Sequence, residues 1–277
     1  MDTGHYIHNI DPFAVKFYAG CPIEGIRWYG VFYMATFVFV ILALNFYTKM
    51  KKSPLSRVQN LSFLDYVIVG VVVGGRVGYM VLYCFGKFIE NPLEVFAVWH
   101  GGMSSHGGFV GVALAILLFC RKNGIHPLPL TDICSTIAPF GFLLGRIANF
   151  INGELFGRVT SVKWGVIFPK SAHFSPNLLP IYPRHPSQLY EGLLEGLVLF
   201  LYMQLRFWIG KKQSPGRLSG EFLVLYSVFR MGTECFREPD AALILNMSRG
   251  QFYSIYLMTI GLAMLCRCGG ANNGTPA

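Results

Sequence analysis

Charged residues are scarce in this chain, and their scarcity argues against an ordinary soluble fold. Only 13% of the 277 residues are charged, whereas 53% are hydrophobic. This composition lies far from the average of soluble domains and is typical of a protein with several membrane spans. The 23 Lys and Arg residues outnumber the 14 Asp and Glu residues. They lie in short clusters between apolar stretches, which favours membrane topology over nucleic-acid binding.

The cysteine pattern and the N-terminus lack two features of small secreted proteins. The seven cysteines are odd in number, scattered and mostly embedded in apolar runs, so they indicate no disulfide framework. The first residues do not show the basic and then apolar layout of a cleavable signal. We therefore expect the first membrane span to target the chain.

Seven stretches are apolar enough to be interpreted as helices across a bilayer, which requires about 20 residues per helix. They cover residues 28–46, 61–82, 107–120, 133–150, 189–208, 221–236 and 252–266. No internal repeat and no second domain are evident. The sequence therefore predicts an all-α integral membrane protein with seven transmembrane helices, which form a single polytopic domain over residues 1–277.

Basic residues are dense in the loops that follow the first, third, fifth and seventh predicted spans. Because short basic loops resist translocation, these loops are predicted to be cytoplasmic, which places the N-terminus outside and the C-terminus in the cytoplasm. Residues 151–188 are too polar and too rich in proline to cross the membrane. They are predicted to form a small external head between the fourth and fifth spans.

Ionisable residues at membrane depth are costly, so they usually face a protein interior or water and often serve function. Here they concentrate at the predicted external ends of the spans. Four clusters are HGGMSSHGG at residues 100–108, GRIANFINGELFGR at 145–158, RHPSQLYE at 184–191 and FREPD at 236–240. The external ends of the spans are therefore the predicted location of a functional site.

His106 and Arg146 carry the clearest chemistry in the first two clusters. An imidazole at the start of an apolar span can accept a proton near neutral pH. A structural histidine that binds backbone carbonyls is the alternative, and we favour it for His100. Arg146 and Asn149 share one helix face, where a guanidinium suits a phosphate group. The alternative is an arginine that only extends toward lipid headgroups.

Glu191 and Arg237 represent the third and fourth clusters. Glu191 lies one turn inside an apolar helix and requires a cationic partner, for which Arg146 and Arg237 are the candidates. Arg237 ends the sixth span, where a plain surface exit is the alternative. Arg76, in mid-span among glycines, is predicted to form a helix-packing ion pair with Asp65 or Glu191. Tyr29 belongs either to an aromatic belt or to the site.

The four motifs, in this order and on these spans, resemble the prolipoprotein diacylglyceryl transferase family of bacterial inner (cytoplasmic) membranes. The resemblance covers essentially the whole chain. It implies transfer of the sn-1,2-diacylglyceryl group from phosphatidylglycerol to the lipobox cysteine thiol of prolipoproteins, with release of glycerol phosphate, as the first step of lipoprotein maturation. It implies membrane lipids as surroundings, no nucleic-acid partner, and neither a metal nor a soluble cofactor.

For individual residues, the resemblance implies that His106 takes the thiol proton and that Arg237 stabilises the leaving phosphate. Tyr29 matches a tyrosine that the family requires. Whether His106 or nearby cations promote deprotonation stays open, since cations alone lower the pKa of a thiol. Binding of phosphatidylglycerol, at the external (periplasmic) leaflet, is expected for Arg146, Asn149, Glu154, Gly157 and Glu191.

Three other functions remain as alternatives. A transporter or channel would place polar groups across the membrane and commonly show two similar halves, and the sequence shows neither. A metal-dependent phosphatidyltransferase would need an acidic cluster, which the predicted spans lack. The third alternative is a scaffold that binds lipid without catalysis. It would be excluded if a transferase activity of the native protein were lost in a His106→Ala variant that still binds phospholipid.

Overall fold

The computed structural model describes residues 4–18, 24–97, 102–174, 181–210, 214–239 and 242–272, and helices dominate it. A π-helical segment, Gly192–Val198, joins α6 to α7, and 3-10 turns occupy Pro92–Phe96 and Pro169–Phe174. His100 and Asp240, which belong to two of the motifs, lie outside the described residues. The helices are α1 Trp28–Lys49, α2 Arg57–Tyr83, α3 Phe85–Glu90, α4 Ser105–Asn123, α5 Pro127–Asn152, α6 Ser187–Glu191, α7 Leu199–Ile209, α8 Arg217–Thr233 and α9 Arg249–Asn272.

Within the described residues, five helical segments are long and apolar enough to cross a membrane, namely α1, α2, α4, α5 and the continuous segment Ser187–Ile209. The chain is therefore a multi-pass membrane protein. The sixth and seventh predicted spans fall on α8 and α9, which are not among the five. At 17 residues, α8 is about 26 Å long, slightly shorter than the roughly 30 Å hydrocarbon core of a bilayer. Seven spans and their direction stay predictions.

In the part of the chain that the structure describes, two short sheets accompany the helices, and they were not predicted. Strand β1 (Tyr6–Ile7) pairs in parallel with β4 (Val166–Ile167), and β2 (Phe13–Lys16) pairs antiparallel with β3 (Gly25–Arg27). Each strand has only two to four residues, too few for an alternating pattern to show in the sequence. The all-α prediction is therefore right for most of the chain and incomplete for these segments.

Contacts between residues divide the chain into two compact units. The first unit comprises Met1–Val38 and Ser135–Ala277, and the second comprises Phe39–Cys134. Each unit is described by itself below. The single membrane domain and the external head at residues 151–188 stay predictions.

In the second unit, α2 and α4 pack with their backbones in contact. A Cβ atom at Gly74 would lie 2.5 Å from the carbonyl oxygen of Gly107, and one at Gly111 would lie 2.0 Å from that of Gly70. Small residues allow membrane helices to approach closely and gain van der Waals contact. The close crossing supports the start of α4, where His106 lies.

Arg76 is buried in α2, and its guanidinium holds the loop that precedes α4. It donates hydrogen bonds to the carbonyl oxygens of Glu94 (2.7 Å) and Val95 (3.3 Å), and it lies 3.6 Å from the Glu94 carboxylate. The predicted ion pair is therefore present with a different partner, Glu94, in place of the two that the sequence suggested, Asp65 and Glu191.

In the first unit, the N-terminal strand packs against the segment that follows α5. The side chains of Phe156, Val166 and Phe168 form a small core, and Phe150 of α5 packs against it. Arg184 exchanges two backbone hydrogen bonds of 2.9 Å with Val166. These contacts fix the chain between the end of α5 and the start of α6. They therefore hold the two helix ends near which predicted site residues lie.

Candidate active site

A buried group of charged residues joins three helical segments of the first unit. The Oε2 atom of Glu191, in α6, lies 2.6 Å from a guanidinium nitrogen of Arg146, in α5, and 2.6 Å from one of Arg230, in α8. The same oxygen lies 3.4 Å from Arg237, which follows α8. Three arginines therefore share Glu191, and the predicted pairing with Arg146 or Arg237 is confirmed for both.

Three members of this group were missed in the sequence, namely Glu195, Arg230 and Glu234. Glu195 lies 3.5 Å from both Arg146 and Arg230, and it accepts a 2.9 Å hydrogen bond from the Thr233 hydroxyl. Glu234 forms an ion pair with Arg230. The sequence did carry a signal for them. Glu195 follows Glu191 by four residues and Glu234 follows Arg230 by four, and charged residues at this spacing on one apolar helix share a face. We call six residues the arginine cluster: Arg146, Glu191, Glu195, Arg230, Glu234 and Arg237.

The π-helical segment Gly192–Val198 begins directly after Glu191 and contains Glu195. Segments of this kind are rare and often occur at functional sites. Two of its glycines let it approach α5 closely. A Cβ at Gly192 would lie 3.3 Å from the Cβ of Arg146, and one at Gly196 would lie 2.7 Å from the Cα of Leu143. This close approach brings both carboxylates to the Arg146 guanidinium.

The arginine cluster balances three positive charges with three negative charges away from water. The side chain of Arg146 is 14% exposed, and the other five residues are at most 6% exposed. Two polar atoms, Oε1 of Glu191 and Nε of Arg230, are buried without a hydrogen-bond partner among the described residues. Such atoms are costly in a buried network, and they are available to a ligand or to a rearrangement of the ion pairs.

Asn149 and Glu154 lie on either side of the end of α5. Asn149 is buried and Glu154 is exposed. Between and just after them the chain turns sharply, with positive φ angles of 61° at Gly153 and 56° at Leu155, a conformation uncommon for leucine. Gln188 fixes this turn through a 2.6 Å hydrogen bond to the Glu154 carbonyl oxygen. The turn therefore holds the Glu154 carboxylate at the surface.

Gly157 packs within the polypeptide on both sides. Its N–H donates to the carbonyl oxygen of His185 (2.8 Å), and its carbonyl oxygen accepts from Arg184 (3.1 Å). A Cβ at Gly157 would lie 2.5 Å from the carbonyl oxygen of Phe236, the residue before Arg237. Gly157 therefore holds the backbone beside Arg237, and its direct contact with phosphatidylglycerol stays a prediction.

Tyr29 is the second residue of α1 and is half-buried. Its ring stacks on that of Tyr33, with 5.1 Å between the ring centroids. Its hydroxyl lies within electrostatic range of Glu154 and Arg146. Glu154 and Arg146 therefore influence the Tyr29 hydroxyl through their charge.

His106 is the second residue of α4 and is 7% exposed. Ser104 caps the helix by accepting a 3.2 Å hydrogen bond from the N–H of Gly107, and its own N–H donates to the Gly75 carbonyl oxygen at 2.9 Å. These contacts fix the start of the helix and hence the histidine. His106 belongs to the second unit, and its action as a base stays a prediction.

Outside the membrane-spanning segments, His8 carries a buried imidazole. Its ring centroid lies 5.3 Å from those of both Phe150 and Phe168. Burial lowers the pKa of His8 below its ordinary value, and the charge of Lys170 acts in the same direction. None of the predicted site residues lines the cavity of about 340 Å³ beside His8. Neutral His8 therefore ties the N-terminal strand to the end of α5.

Comparison with known proteins assigns the chain to a family. The model of the prolipoprotein diacylglyceryl transferase family matches residues 17–267, a range that includes every predicted site residue. The chain belongs to this family. This match confirms the resemblance inferred from the four motifs. It also confirms the implied enzyme class, which is a transferase.

Curated relatives in this transferase family align with the chain over nearly their whole length. The relative from Photorhabdus laumondii is 44% identical in an alignment that covers 93% of this chain and 92% of the relative. The relative from Vibrio atlanticus is 43% identical, with 93% and 90% covered, and that from Rickettsia akari is 39% identical, with 94% and 97% covered. All three carry the name phosphatidylglycerol–prolipoprotein diacylglyceryl transferase.

Proposed function

We propose that the chain transfers the sn-1,2-diacylglyceryl group of phosphatidylglycerol to the lipobox cysteine thiol of a prolipoprotein. The sulfur attacks the diacylglyceryl carbon that carries the phosphate, and a C–S thioether bond forms. The C–O bond to the phosphate breaks, and its electron pair stays on the phosphate oxygen. Glycerol phosphate leaves with one more negative charge than the phosphodiester had. Family membership over residues 17–267 supports this reaction.

The convergence of Arg146 and Arg237 on Glu191 is the observation that carries the proposal. The reaction adds negative charge to the phosphate, so donors that are already fixed near it lower the barrier without reorganisation. A site shielded from water strengthens these interactions further. Arg146 binds the headgroup phosphate, Arg237 stabilises the leaving phosphate, and Glu191 holds both guanidiniums before the lipid arrives.

The other predicted residues of the first unit bind the rest of the headgroup or support the site. Asn149 and Glu154, at the end of α5, bind the hydroxyl groups of the glycerol headgroup, which suit amide and carboxylate partners. Tyr29 lies within electrostatic range of Glu154 and Arg146 and orients the same headgroup. Gly157 keeps the backbone beside Arg237 in place.

His106 accepts the proton of the attacking thiol. An imidazole titrates near neutral pH, which suits a general base for this proton transfer. Cations beside the thiol assist by stabilising the thiolate. The His106→Ala variant separates the two contributions, because it removes the base and leaves every arginine.

We place this chemistry at the external leaflet of the bacterial inner membrane, with seven spans, an external N-terminus and a cytoplasmic C-terminus. The basic residues in alternate loops support this direction. Single cysteines at Lys51 and Trp164, introduced after replacement of the native cysteines, test it with a membrane-impermeant maleimide. We expect labelling at position 164 in intact spheroplasts and at position 51 only after permeabilisation. The reverse pattern would refute the direction.

The reaction itself is tested by incubating purified protein with radiolabelled phosphatidylglycerol and a lipobox peptide. The native protein should attach label to the peptide through a thioether, and a peptide with serine in place of cysteine should receive none. We expect Arg146→Ala and His106→Ala to lose the label. No label with the native protein would refute the transferase, whereas label that survives in both variants would keep the reaction and refute these residue roles.

A further inference from the structure

Arg230 contacts all three carboxylates of the arginine cluster. Its NH1 atom lies 2.6 Å from Glu191 and 3.5 Å from Glu195, and its NH2 atom pairs with Glu234. Arg230 lies in α8 and is 5% exposed, and no sequence motif indicated it. Its guanidinium is therefore central to the charge network, more deeply buried than that of Arg146.

The partners of Arg230 are themselves held from other directions. Glu195 accepts the Thr233 hydroxyl at 2.9 Å. Glu234 lies against the start of α9, where a Cβ at Gly250 would approach its carboxylate oxygen. Arg230 is thus fixed in one place by several side chains, which suits a permanent counter-ion and not a group that moves to meet a lipid.

Phosphate binding disturbs this network in a defined way. When Arg146 and Arg237 turn toward a phosphodiester, Glu191 loses two of its three arginine partners. A buried carboxylate left without a partner is strongly destabilising. The unpaired Oε1 of Glu191 and the unpaired Nε of Arg230 leave both groups able to strengthen their own contact at that moment.

We infer that Arg230 is a positioning residue that retains Glu191 and Glu195 while Arg146 and Arg237 bind the phosphate. This inference rests on the proposed function and adds a residue to it. Charge balance gives the reason, because three arginines neutralise three carboxylates before the lipid arrives. Without Arg230 the cluster carries one net negative charge and repels the incoming phosphodiester.

The test measures binding of phosphatidylglycerol in nanodiscs without peptide, and turnover with peptide. Arg230→Gln should raise the Kd by about tenfold or more, and the KM should rise in parallel. The double variant Arg230→Gln with Glu195→Gln restores the balance of charge and should recover most of the lost affinity. Arg206→Gln, the same change in an ion pair of Ser187–Ile209 with Glu221, is the matched control and should keep the native Kd.

Each outcome decides the role of Arg230. A native Kd for Arg230→Gln would overturn it, as would a double variant that melts at the native temperature but binds no better than Arg230→Gln. If Arg230→Gln cannot be purified, the double variant decides alone, and a tenfold loss in it overturns the inference. Failure of both to fold, with Arg206→Gln intact, would make Arg230 purely structural. Native protein that binds lipid but forms no thioether would instead refute the proposed function.

Discussion

Two groups of ion pairs join the segment Ser187–Ile209 to α8, and they differ in how completely their atoms are paired. In the arginine cluster, one oxygen of Glu191 serves three arginines while its other oxygen has no partner among the described residues. In the second group, Arg206 meets both oxygens of Glu221, at 2.8 and 2.6 Å. We call this second group the Arg206 cluster: Tyr202, Arg206, Arg217 and Glu221.

The difference indicates which group can exchange partners. Both oxygens of Glu221 are occupied, since Tyr202 and Arg217 add hydrogen bonds of 3.1 and 3.2 Å to the fork from Arg206. Such a bidentate pair is strong and geometrically complete. The arginine cluster is more buried and less complete, since Nε of Arg230 can donate, and Oε1 of Glu191 can accept, one more hydrogen bond. Completeness of pairing therefore separates the Arg206 cluster from the cluster that we propose binds the lipid.

The largest effect should come from the same substitution made in each cluster. Arg146→Gln should lower thioether formation by about 10²–10³-fold, as expected when a donor to developing charge is removed. Arg206→Gln should leave turnover near native and lower the free energy of unfolding by about 1–3 kcal/mol. Initial rates and thermal unfolding in one detergent measure both. Equal losses of turnover would remove the distinction between the clusters.

A pair of glycine variants sharpens the comparison by moving only the backbone beside Arg237. In Gly157→Ala the new Cβ would press on the carbonyl oxygen of Phe236, 2.5 Å away, whereas at Gly145 it would meet nothing within 4 Å. We expect Gly157→Ala to lose about 1–3 kcal/mol of stability together with most of its turnover. Gly145→Ala should retain both. Native turnover in a stable Gly157→Ala protein would show that Arg237 does not depend on this contact.

The second unit offers a comparison in which no charge is involved. A Cβ at Gly107 would lie 2.3 Å from the carbonyl oxygen of Gly74, whereas one at the neighbouring Gly108 would meet nothing within 4 Å. Gly107→Ala should lower the thermal midpoint, with a loss of about 1–3 kcal/mol. Gly108→Ala should be neutral or stabilising by up to about 1 kcal/mol. Similar midpoints for the two variants would contradict the close crossing of α2 and α4.

The smallest effect concerns pH and a buried group outside both clusters. Burial lowers the pKa of His8, so the fold favours the neutral ring. Its contribution to stability is complete above the ordinary histidine pKa of about 6.5 and is lost as pH falls through the lowered value. The thermal midpoint should therefore drop as the pH falls below about 6.5. Burial also lowers the pKa of His185, so His8→Gln should remove only part of the drop, and an unchanged profile would contradict this assignment.

Part of the candidate site could be predicted because unpaired charge on an apolar helix demands a partner. That requirement led directly from Glu191 to Arg146 and Arg237, and both contacts are present. Glu195 and Arg230 needed more. Spacing of four residues was a signal for both, but the contact of Glu195 with Arg146 also depends on a π-helical segment and on glycines that allow a close approach to α5, which sequence periodicity does not reveal.

In the fold, too, features set by local sequence were predictable, whereas contacts between distant residues were not. Long apolar helices were predictable from composition, and the described part of the chain contains five. The short strands β1 and β4 come from distant parts of the chain and carry too few residues for a pattern. The packing of Gly157 against Phe236 likewise joins residues far apart in sequence. Local patterns predict elements, whereas these contacts arise only when the elements meet.

The charge balance of the arginine cluster bears on how the chain is assembled. Arg146 lies in α5, its carboxylate partners lie in the segment Ser187–Ile209, and Arg230 lies in α8. A charged residue that enters the bilayer on a single helix costs about 2.5–3.5 kcal/mol. Synthesis at about 5–20 residues per second leaves Arg146 waiting a few seconds for Glu191. Insertion should therefore be cooperative, with α5 retained at the translocation machinery until its counter-charged neighbours emerge.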